Sequence, residues 1–229
     1  MTDPLAQVDW TSLWLTFRVA GWTTAILLLL GTPLALWLAF SHSRWRPVWE
    51  ALVALPLVLP PTVLGFYLLI AMAPDSPVGR LYAALFPDRT LPFSFTGVVV
   101  ASVFYSLPFM VHPLMQAFEQ VGRAPLELAA TLGAPRWARW WHVLFPLARR
   151  GFWVAITLTF AHTVGEFGVI LMVGGNIPGV TQVASIAVYD EVESMNYPAA
   201  HALSAVLLVF SFATLWLVYW LNRRQVAHG

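Results

Sequence analysis

Long apolar runs separated by short polar segments make up most of this chain. A helical membrane span needs about 20 mainly apolar residues. Five stretches meet that length: Val19–Phe40, Leu52–Ala73, Phe95–Phe118, Phe152–Val173 and Ala202–Leu221. Their polarity does not alternate, so the pattern predicts helices rather than barrel strands. The predicted fold class is an all-α polytopic membrane protein with five transmembrane helices, forming one domain over residues 1–229.

Composition supports this class and excludes several others. The chain is 59% hydrophobic and 10% charged, and its mean hydropathy is +0.72. A soluble domain of this length needs far more charge to cover its surface. The absence of cysteine excludes disulfides, thiol catalysis and thiolate metal sites. Every basic residue is Arg, so the chain lacks the Lys that a P-loop requires.

The arginines predict the orientation of the spans. Most of them follow the first span, the third span and the fifth span: Arg44, Arg46, Arg123, Arg136, Arg139, Arg149, Arg150, Arg223 and Arg224. The opposite segments carry Arg80 and Arg89. Because basic residues concentrate on the cytoplasmic side, we expect the N-terminus outside and the C-terminus inside. The segment between spans three and four is then cytoplasmic.

That segment begins with a predicted short helix. Its sequence is LELAATLGAPRWARWWHVLFP, Leu126–Pro146. Glu127 lies in the first turn, where the helix dipole favours a negative charge. The small residues Ala129, Ala130 and Gly133 form a nearly flat face with Leu126, and Gly133 can adopt the left-handed conformation that ends a helix. Such a helix either anchors the bundle at the membrane surface or docks in a groove of another protein.

A second short helix is predicted from Pro135. It would direct Trp137, Trp140 and Trp141 towards the membrane, with Arg136 and Arg139 towards water. The two short helices with a sharp turn between them would then lie at the cytoplasmic surface.

The pattern E-x-A-A-x-x-G at Glu127, Ala129 and Gly133 is followed downstream by Val143 and Pro146. It resembles the cytoplasmic EAA loop of ABC importer permeases, with Leu128 in place of the usual Ala and Phe145 where Leu is common. In that family the loop forms a coupling helix that fits a cleft on a separate cytoplasmic ABC ATPase subunit. The resemblance implies the ATPase-coupling residues Glu127, Ala129, Ala130, Gly133 and Ala134.

Two further stretches narrow the resemblance. LPLVLPPTVLGFYLL (Leu55–Leu69) and HTVGEFGVILMVGGNIPG (His162–Gly179) are similar to molybdate ABC transporter permeases of the ModB type. The similarity covers nearly the full chain. The G-E-F-G motif is shared with sulfate and tungstate permeases, so it marks oxyanion importers in general.

The resemblance implies a multi-pass permease subunit in the bacterial inner membrane. Such a subunit pairs with a second permease chain and receives molybdate from a periplasmic molybdate-binding protein. It has no catalytic residues, cofactor or nucleic-acid partner of its own, because ATP is hydrolysed in the separate ATPase chain. The nearest alternative is an ABC importer of the same kind that carries tungstate or sulfate/thiosulfate. An ion-coupled secondary transporter is another, but it leaves the EAA-type loop unexplained, and no inverted repeat is evident.

Several residues are predicted to line the pathway or form a gate: Pro56, Pro60, Pro61, Thr62, Gly165, Glu166 and Gly168. The three prolines would bend or break the second span. Broken backbone is tolerated in a membrane where it is packed in protein or lines a cavity. The alternative for each proline is a simple packing kink.

His162 and Glu166 are four residues apart in the fourth span, so the spacing predicts one helical face. Intramembrane ionisable residues are costly and face the bundle interior. We interpret Glu166 as a gate or a hydrogen-bonded brace, with Gly165 and Gly168 allowing close helix approach. A proton relay is the alternative. A metal site is disfavoured, because no third ligand lies nearby in the sequence.

The outer loop Gly174–Ala200 carries the acidic residues Asp190, Glu191 and Glu193. In the resembled family such loops meet the periplasmic binding protein. The alternative is a solvated loop without a partner.

Overall fold

The structure is a computed structural model that describes residues 8–87 and 89–223, with the side chains of 218 and 220–223 left aside. Within these residues the fold is helical, with no strand. The helices are α1 (Trp10–Phe40), α2 (Arg46–Val58), α3 (Pro61–Ala71), α4 (Pro77–Leu85), α5 (Phe95–Val121), α6 (Ala124–Thr131), α7 (Arg136–Arg139), α8 (Phe145–Leu147), α9 (Arg149–Val164), α10 (Gly168–Gly174), α11 (Ala184–Glu193) and α12 (Tyr197–Arg223). A π-helical turn, Trp140–Leu144, joins α7 to α8.

Helices α1 and α5 pack along each other at the centre, and α9 packs on both. Side-chain caps fix where α1 and α5 begin. Asp9 accepts from the backbone N–H of Thr11 at 2.9 Å, and Ser94 accepts from that of Gly97 at 3.1 Å. Such caps satisfy backbone donors that have no partner inside the helix. The largest core cluster fills the space between these helices with side chains such as Leu27 and Phe118.

The second predicted span is two helices, not one. Helices α2 and α3 meet at an angle of 112°. Leu59 and Pro60 are both extended, with ψ of 135° and 134°. Each precedes a proline, whose ring disfavours the helical region for the preceding residue. The predicted break is therefore confirmed at Leu59–Pro60, whereas Pro56 stays inside α2.

The fourth predicted span is also interrupted. Helix α9 ends at Val164 and α10 begins at Gly168. The expectation that His162 and Glu166 share a helical face is wrong, because Glu166 lies in this break. Phe167 leaves the helical region, with φ of −128°. A tertiary contact holds the open backbone, since Ser185 Oγ donates to the carbonyl oxygen of Glu166 at 2.6 Å.

Three helices of the described chain are long and apolar enough to cross a membrane alone: Trp10–Phe40, Phe95–Val121 and Tyr197–Leu217. Two bent helix pairs raise the number to five if each pair counts as one span: Arg46–Val58 with Pro61–Ala71, and Arg136–Leu147 with Arg149–Val164. Helix α1 begins nine residues before the predicted first span, so Arg18 lies inside it. The Arg18 guanidinium is exposed and sits 4.9 Å from the centre of the Phe95 ring, at the first turn of α5.

The segment from Gly174 to Ala200 is more ordered than a solvated loop. It contains α11, whose Ile186 is fully buried. The backbone N–H of Ala184 donates to Thr16 Oγ1 of α1 at 2.8 Å. Asp190 accepts from Asn176 at 2.5 Å and from Gln182 at 2.8 Å. The segment is therefore folded against α1 and α12.

Candidate functional site

The short-helix segment, residues 124–147, has the sharp turn that the sequence predicts. Helix α6 ends at Thr131, and Gly133 follows with φ of +84°. The N–H of Gly133 donates to the carbonyl of Ala130, and the N–H of Ala134 donates to that of Ala129, each at 3.0 Å. These bonds satisfy carbonyls at the end of the helix. An L side chain at Gly133 would meet open space, so the backbone conformation is what requires glycine.

The exposed face of α6 is not the flat one that the sequence indicates. Ala129 and Ala130 are half-buried, and Leu126 packs against the largest core cluster. The small size of the two alanines lets α6 lie close to the π-helical turn. The face left open carries Leu128 and Leu132, which are 64% and 81% exposed. The exposed face therefore carries long apolar side chains rather than small ones.

The three tryptophans do not share a side. Trp137 and Trp141 are exposed, but Trp140 is half-buried, and its ring lies 6.0 Å from that of Phe40. The π-helical turn starting at Trp140 changes the number of residues per turn, which shifts the direction of the side chains. Arg139 also departs from the expectation, because its Nε is buried and has no hydrogen-bond partner among the described residues.

Two arginines tie the ends of three helices together beside α6. Arg46, the first residue of α2, donates from Nε to Glu50 at 2.6 Å and from Nη2 to Glu119 of α5. Arg123, at the cap of α6, donates to the carbonyl oxygen of Phe40 at 2.7 Å. We call these contacts the arginine clamp. It joins the end of α1 and the start of α2 to the junction of α5 and α6.

The two helix breaks meet at a cavity of about 570 Å³, which we call the break cavity. It is lined by Pro61, Thr62, Tyr105, Ala161, His162, Gly165, Glu166, Phe167 and Gly168. The structure therefore brings together five of the seven residues assigned to the pathway. Pro56 and Pro60 are not part of the lining.

Close packing holds the two breaks against each other. A Cβ at Gly168 would lie 3.0 Å from Cβ of Pro61, and one at Gly65 would lie 2.7 Å from Cβ of Met172. Helices α3 and α10 are pressed together by these contacts. Gly165 has no such neighbour, since its added Cβ would come no nearer than 3.7 Å to another atom. The expected close approach thus occurs at Gly168 and not at Gly165.

Glu166 is 3% exposed, and its side chain lies beside Ser102. Neither carboxylate oxygen has a hydrogen-bond partner of good geometry in the described chain. Buried polar groups normally have such partners. The hydrogen bond that holds the break among the described residues comes from the main chain, since the carbonyl oxygen of Glu166 accepts from Ser185.

His162 is held by α5. Its Nδ1 lies 3.0 Å from Ser106 Oγ, and its ring stacks on Phe109 with centroids 3.9 Å apart. Ser106 Oγ is also 2.9 Å from Thr163 Oγ1. Sequence reasoning missed Ser106 and Tyr105, because small hydroxyls and single aromatics are common in apolar helices. Among the described residues, no group of three His, Cys, Asp or Glu could hold a metal ion.

A family model matches most of this chain. Residues 31–226 match the family described as the binding-protein-dependent transport system inner membrane component. This chain belongs to that family. The resemblance to importer permeases drawn from Glu127, Ala129 and Gly133 is thereby confirmed at the family level.

Curated relatives within the family are similar over most of the chain. The molybdenum transport system permease protein ModB of Azotobacter vinelandii is 53% identical over 94% of this chain and 95% of its own length. ModB of Mycobacterium tuberculosis is 38% identical over 91% of this chain and 77% of its own. The sulfate transport system permease protein CysT of Synechocystis sp. is 32% identical, over 95% of this chain and 74% of its own length.

Solved structures share the fold. A bacterial ABC transporter involved in the import of the acidic polysaccharide alginate aligns with a TM-score of 0.71, over 100% of this chain and 81% of that one. The alginate transporter in complex with its pentasaccharide-bound periplasmic protein gives 0.69, over 95% and 79%. Both are 16% identical to this chain, so the likeness concerns the fold alone.

Proposed function

We propose that this chain is the permease subunit of an ATP-driven ABC importer that moves molybdate across the bacterial inner membrane. The observation that carries the proposal is the 53% identity to a molybdenum permease over nearly the full length of both chains. The sulfate permeases are similar at a lower level, 32% for the Synechocystis protein. The chain would pass its substrate on without chemical change.

The assembly would contain two permease chains, two cytoplasmic ATPase chains and a periplasmic molybdate-binding protein. Two observations support separate partners. The chain has no Lys and therefore no P-loop. The exposed Leu128 of α6 and Leu132, which follows the helix, form an apolar edge outside the predicted spans, where a groove of an ATPase subunit would cover them.

Motion of the ATPase would reach the spans through the arginine clamp. In the proposed mechanism α6 moves with its ATPase groove, and Gly122 and Arg123 connect α6 directly to the end of α5. Glu119 then pulls on Arg46 at the start of the broken second span. Alternating access would follow as α2 and α3 change their angle at Leu59–Pro60.

The break cavity would lie on the substrate pathway. Its walls come from both interrupted spans, and helix breaks in membranes are tolerated where they line a cavity. Glu166, Gly165, Gly168, Pro61 and Thr62 would form the gate. No Arg lies at the middle of any of the five spans predicted from the sequence, so the permease alone should hold a dianion weakly.

Labelling of single cysteines tests the proposed five spans and their orientation. The chain has no native cysteine, so each introduced thiol reports alone. Gly79 is a poor site because an added Cβ would lie 2.0 Å from the carbonyl oxygen of Ala73. Val78, Leu132 and Val180 are exposed. A membrane-impermeant maleimide should label Val78→Cys and Val180→Cys in intact cells, and Leu132→Cys only in inverted vesicles that contain the permease without its ATPase. Labelling of Leu132→Cys from outside would overturn the orientation.

Transport in proteoliposomes tests the function itself. The permease, its ATPase and its binding protein are reconstituted, and uptake of radioactive molybdate is followed with and without ATP. We expect uptake to need ATP and the binding protein, with unlabelled molybdate competing better than sulfate. Uptake driven by a proton gradient without ATP would favour an ion-coupled transporter. Stronger competition by sulfate or tungstate would reassign the anion.

A further inference from the structure

A groove of about 780 Å³ runs along the surface between α1 and the start of α9. Its lining is mainly apolar: Ala25, Leu28, Leu29, Thr32, Pro33, Trp141, Phe145, Arg149, Phe152, Trp153 and Ile156. Thr32 adds little polarity, because its hydroxyl donates to the carbonyl of Leu28 in its own helix at 2.5 Å. The break cavity lies elsewhere and shares none of these residues.

The floor of the groove is rigid. Phe145 and Phe152 meet edge to face with ring centroids 5.6 Å apart, and Phe118 of the core contacts both rings. Trp141 closes one end against Phe145 at 5.2 Å. Phe118 belongs to the largest core cluster, and Phe145 and Phe152 pack against it, so the floor of the groove is continuous with the core.

One end of the groove carries an unpaired positive charge. Arg149 is the first residue of α9 and is exposed. No hydrogen bond or ion pair joins its guanidinium to another residue of the described chain. The exposed rings of Trp141 and Trp153 line the same groove. Tryptophan is enriched at the boundary between lipid tails and headgroups, which would place Arg149 at headgroup level.

We infer that this groove binds one anionic glycerophospholipid of the leaflet next to the short-helix segment. An acyl chain would lie along Leu28, Leu29 and Ile156, and the phosphate would pair with Arg149. A guanidinium can hold a phosphate through two parallel hydrogen bonds. Basic pockets between membrane helices on the cytoplasmic side bind acidic headgroups in this way. A zwitterionic lipid would fill the apolar part but would bring no net charge to the arginine.

Native mass spectrometry of the full-length permease in detergent tests the inference. Phosphatidylglycerol and phosphatidylcholine with the same acyl chains are the probes, and the fraction of permease that retains a lipid is measured. Arg149→Gln removes the charge from the groove. Arg150→Gln is the matched control, because Arg150 is equally exposed but lines a separate pocket with Gln120 and Gly151.

We expect the wild type to retain phosphatidylglycerol in preference to phosphatidylcholine. Arg149→Gln should weaken phosphatidylglycerol retention roughly tenfold, as for loss of a hydrogen bond to a charged group, and Arg150→Gln should not. Filling the groove with Ala25→Phe should reduce retention of the lipid, whereas Leu30→Phe, which is exposed outside the lining, should not.

Three results would overturn the inference. Equal retention of the two lipids would show that the groove is a non-specific apolar surface that does not recognise the headgroup. Equal loss in Arg149→Gln and Arg150→Gln would show a diffuse surface charge. A change of oligomeric state in Ala25→Phe alone would show that a second copy of the chain covers the groove. None of these measurements involves substrate or ATP, so they test the lipid site independently of the transport proposal.

Discussion

Arg46 and Glu119 are 73 residues apart in the sequence, and their side chains form an ion pair between the start of α2 and the last turns of α5. The same guanidinium also holds Glu50, four residues along its own helix. The pair connects the broken second span to the helix that leads directly into α6. In the proposed mechanism its position, more than its strength, would make it a coupling element.

Substitution of Glu119 should separate this role from simple stability. Partly exposed ion pairs contribute about 0.2–1 kcal/mol, so Glu119→Gln should lower the melting temperature of the permease only slightly. We expect it to reduce ATP-driven uptake several-fold while ATP hydrolysis continues. Glu50→Gln, which removes only the pair within α2, is the control. Equal effects of the two variants on uptake would rule out the clamp as a coupling element.

The exposed leucines of α6 should be needed for retention of the ATPase. Burial of one leucine in a partner groove contributes about 1.5–3 kcal/mol, so Leu128→Ser with Leu132→Ser should strongly reduce co-purification of the ATPase. Thermal stability of the permease alone should not change, because both side chains are exposed in the single chain. Leu85→Ser, equally exposed on α4, should retain the ATPase. If the double variant co-purifies like the wild type, α6 is a surface anchor.

Gly133 should be limited by backbone conformation, not by space. Its φ of +84° is costly for most L residues, about 1–2 kcal/mol, and an added Cβ meets nothing within 4 Å. Gly133→Ala should therefore weaken ATPase retention and uptake more than Gly133→Asn, since asparagine tolerates the left-handed region better. The comparison is made by co-purification and vesicle uptake. A more severe effect of the larger asparagine would point instead to a tight partner groove.

Two glycines of the same motif should respond differently to the same substitution. Gly168→Ala would place Cβ 3.0 Å from Cβ of Pro61 and push α10 away from α3, whereas Gly165→Ala meets only ordinary contacts. We expect uptake to fall several-fold in Gly168→Ala and to stay near the wild-type rate in Gly165→Ala. Expression and ATPase retention serve as controls for folding. Loss of uptake in Gly165→Ala alone would contradict the packing of the breaks described above.

Glu166→Gln keeps the size of the side chain and breaks no hydrogen bond of good geometry with the described residues. If Glu166 acts as a gate, substantial ATP-driven uptake should remain in this variant. Complete loss of uptake and of its pH dependence, with normal assembly, would instead indicate a proton relay. Uptake is measured in proteoliposomes at two pH values with ATP present.

The sequence by itself determined the class of protein, the approximate apolar stretches and the family. Those features are local or compositional: long apolar runs, the absence of Lys and Cys, and the residues Glu127, Ala129 and Gly133. The left-handed turn at Gly133 was also predictable, because glycine adopts that conformation at little cost. Consecutive prolines at 60 and 61 predicted the break in the second span for an equally local reason.

Tertiary structure determined three features that the pattern of apolar and polar residues could not predict. The break at Glu166 depends on packing of Gly168 against Pro61 and on a bond from Ser185, and both partners are distant in sequence. Contact with the core determines which side of α6 faces inward. The direction of Trp140 is determined by a π-helical turn, which no residue type in the sequence predicts. Helical periodicity identifies which side chains share a face, but only neighbouring helices determine which face is buried.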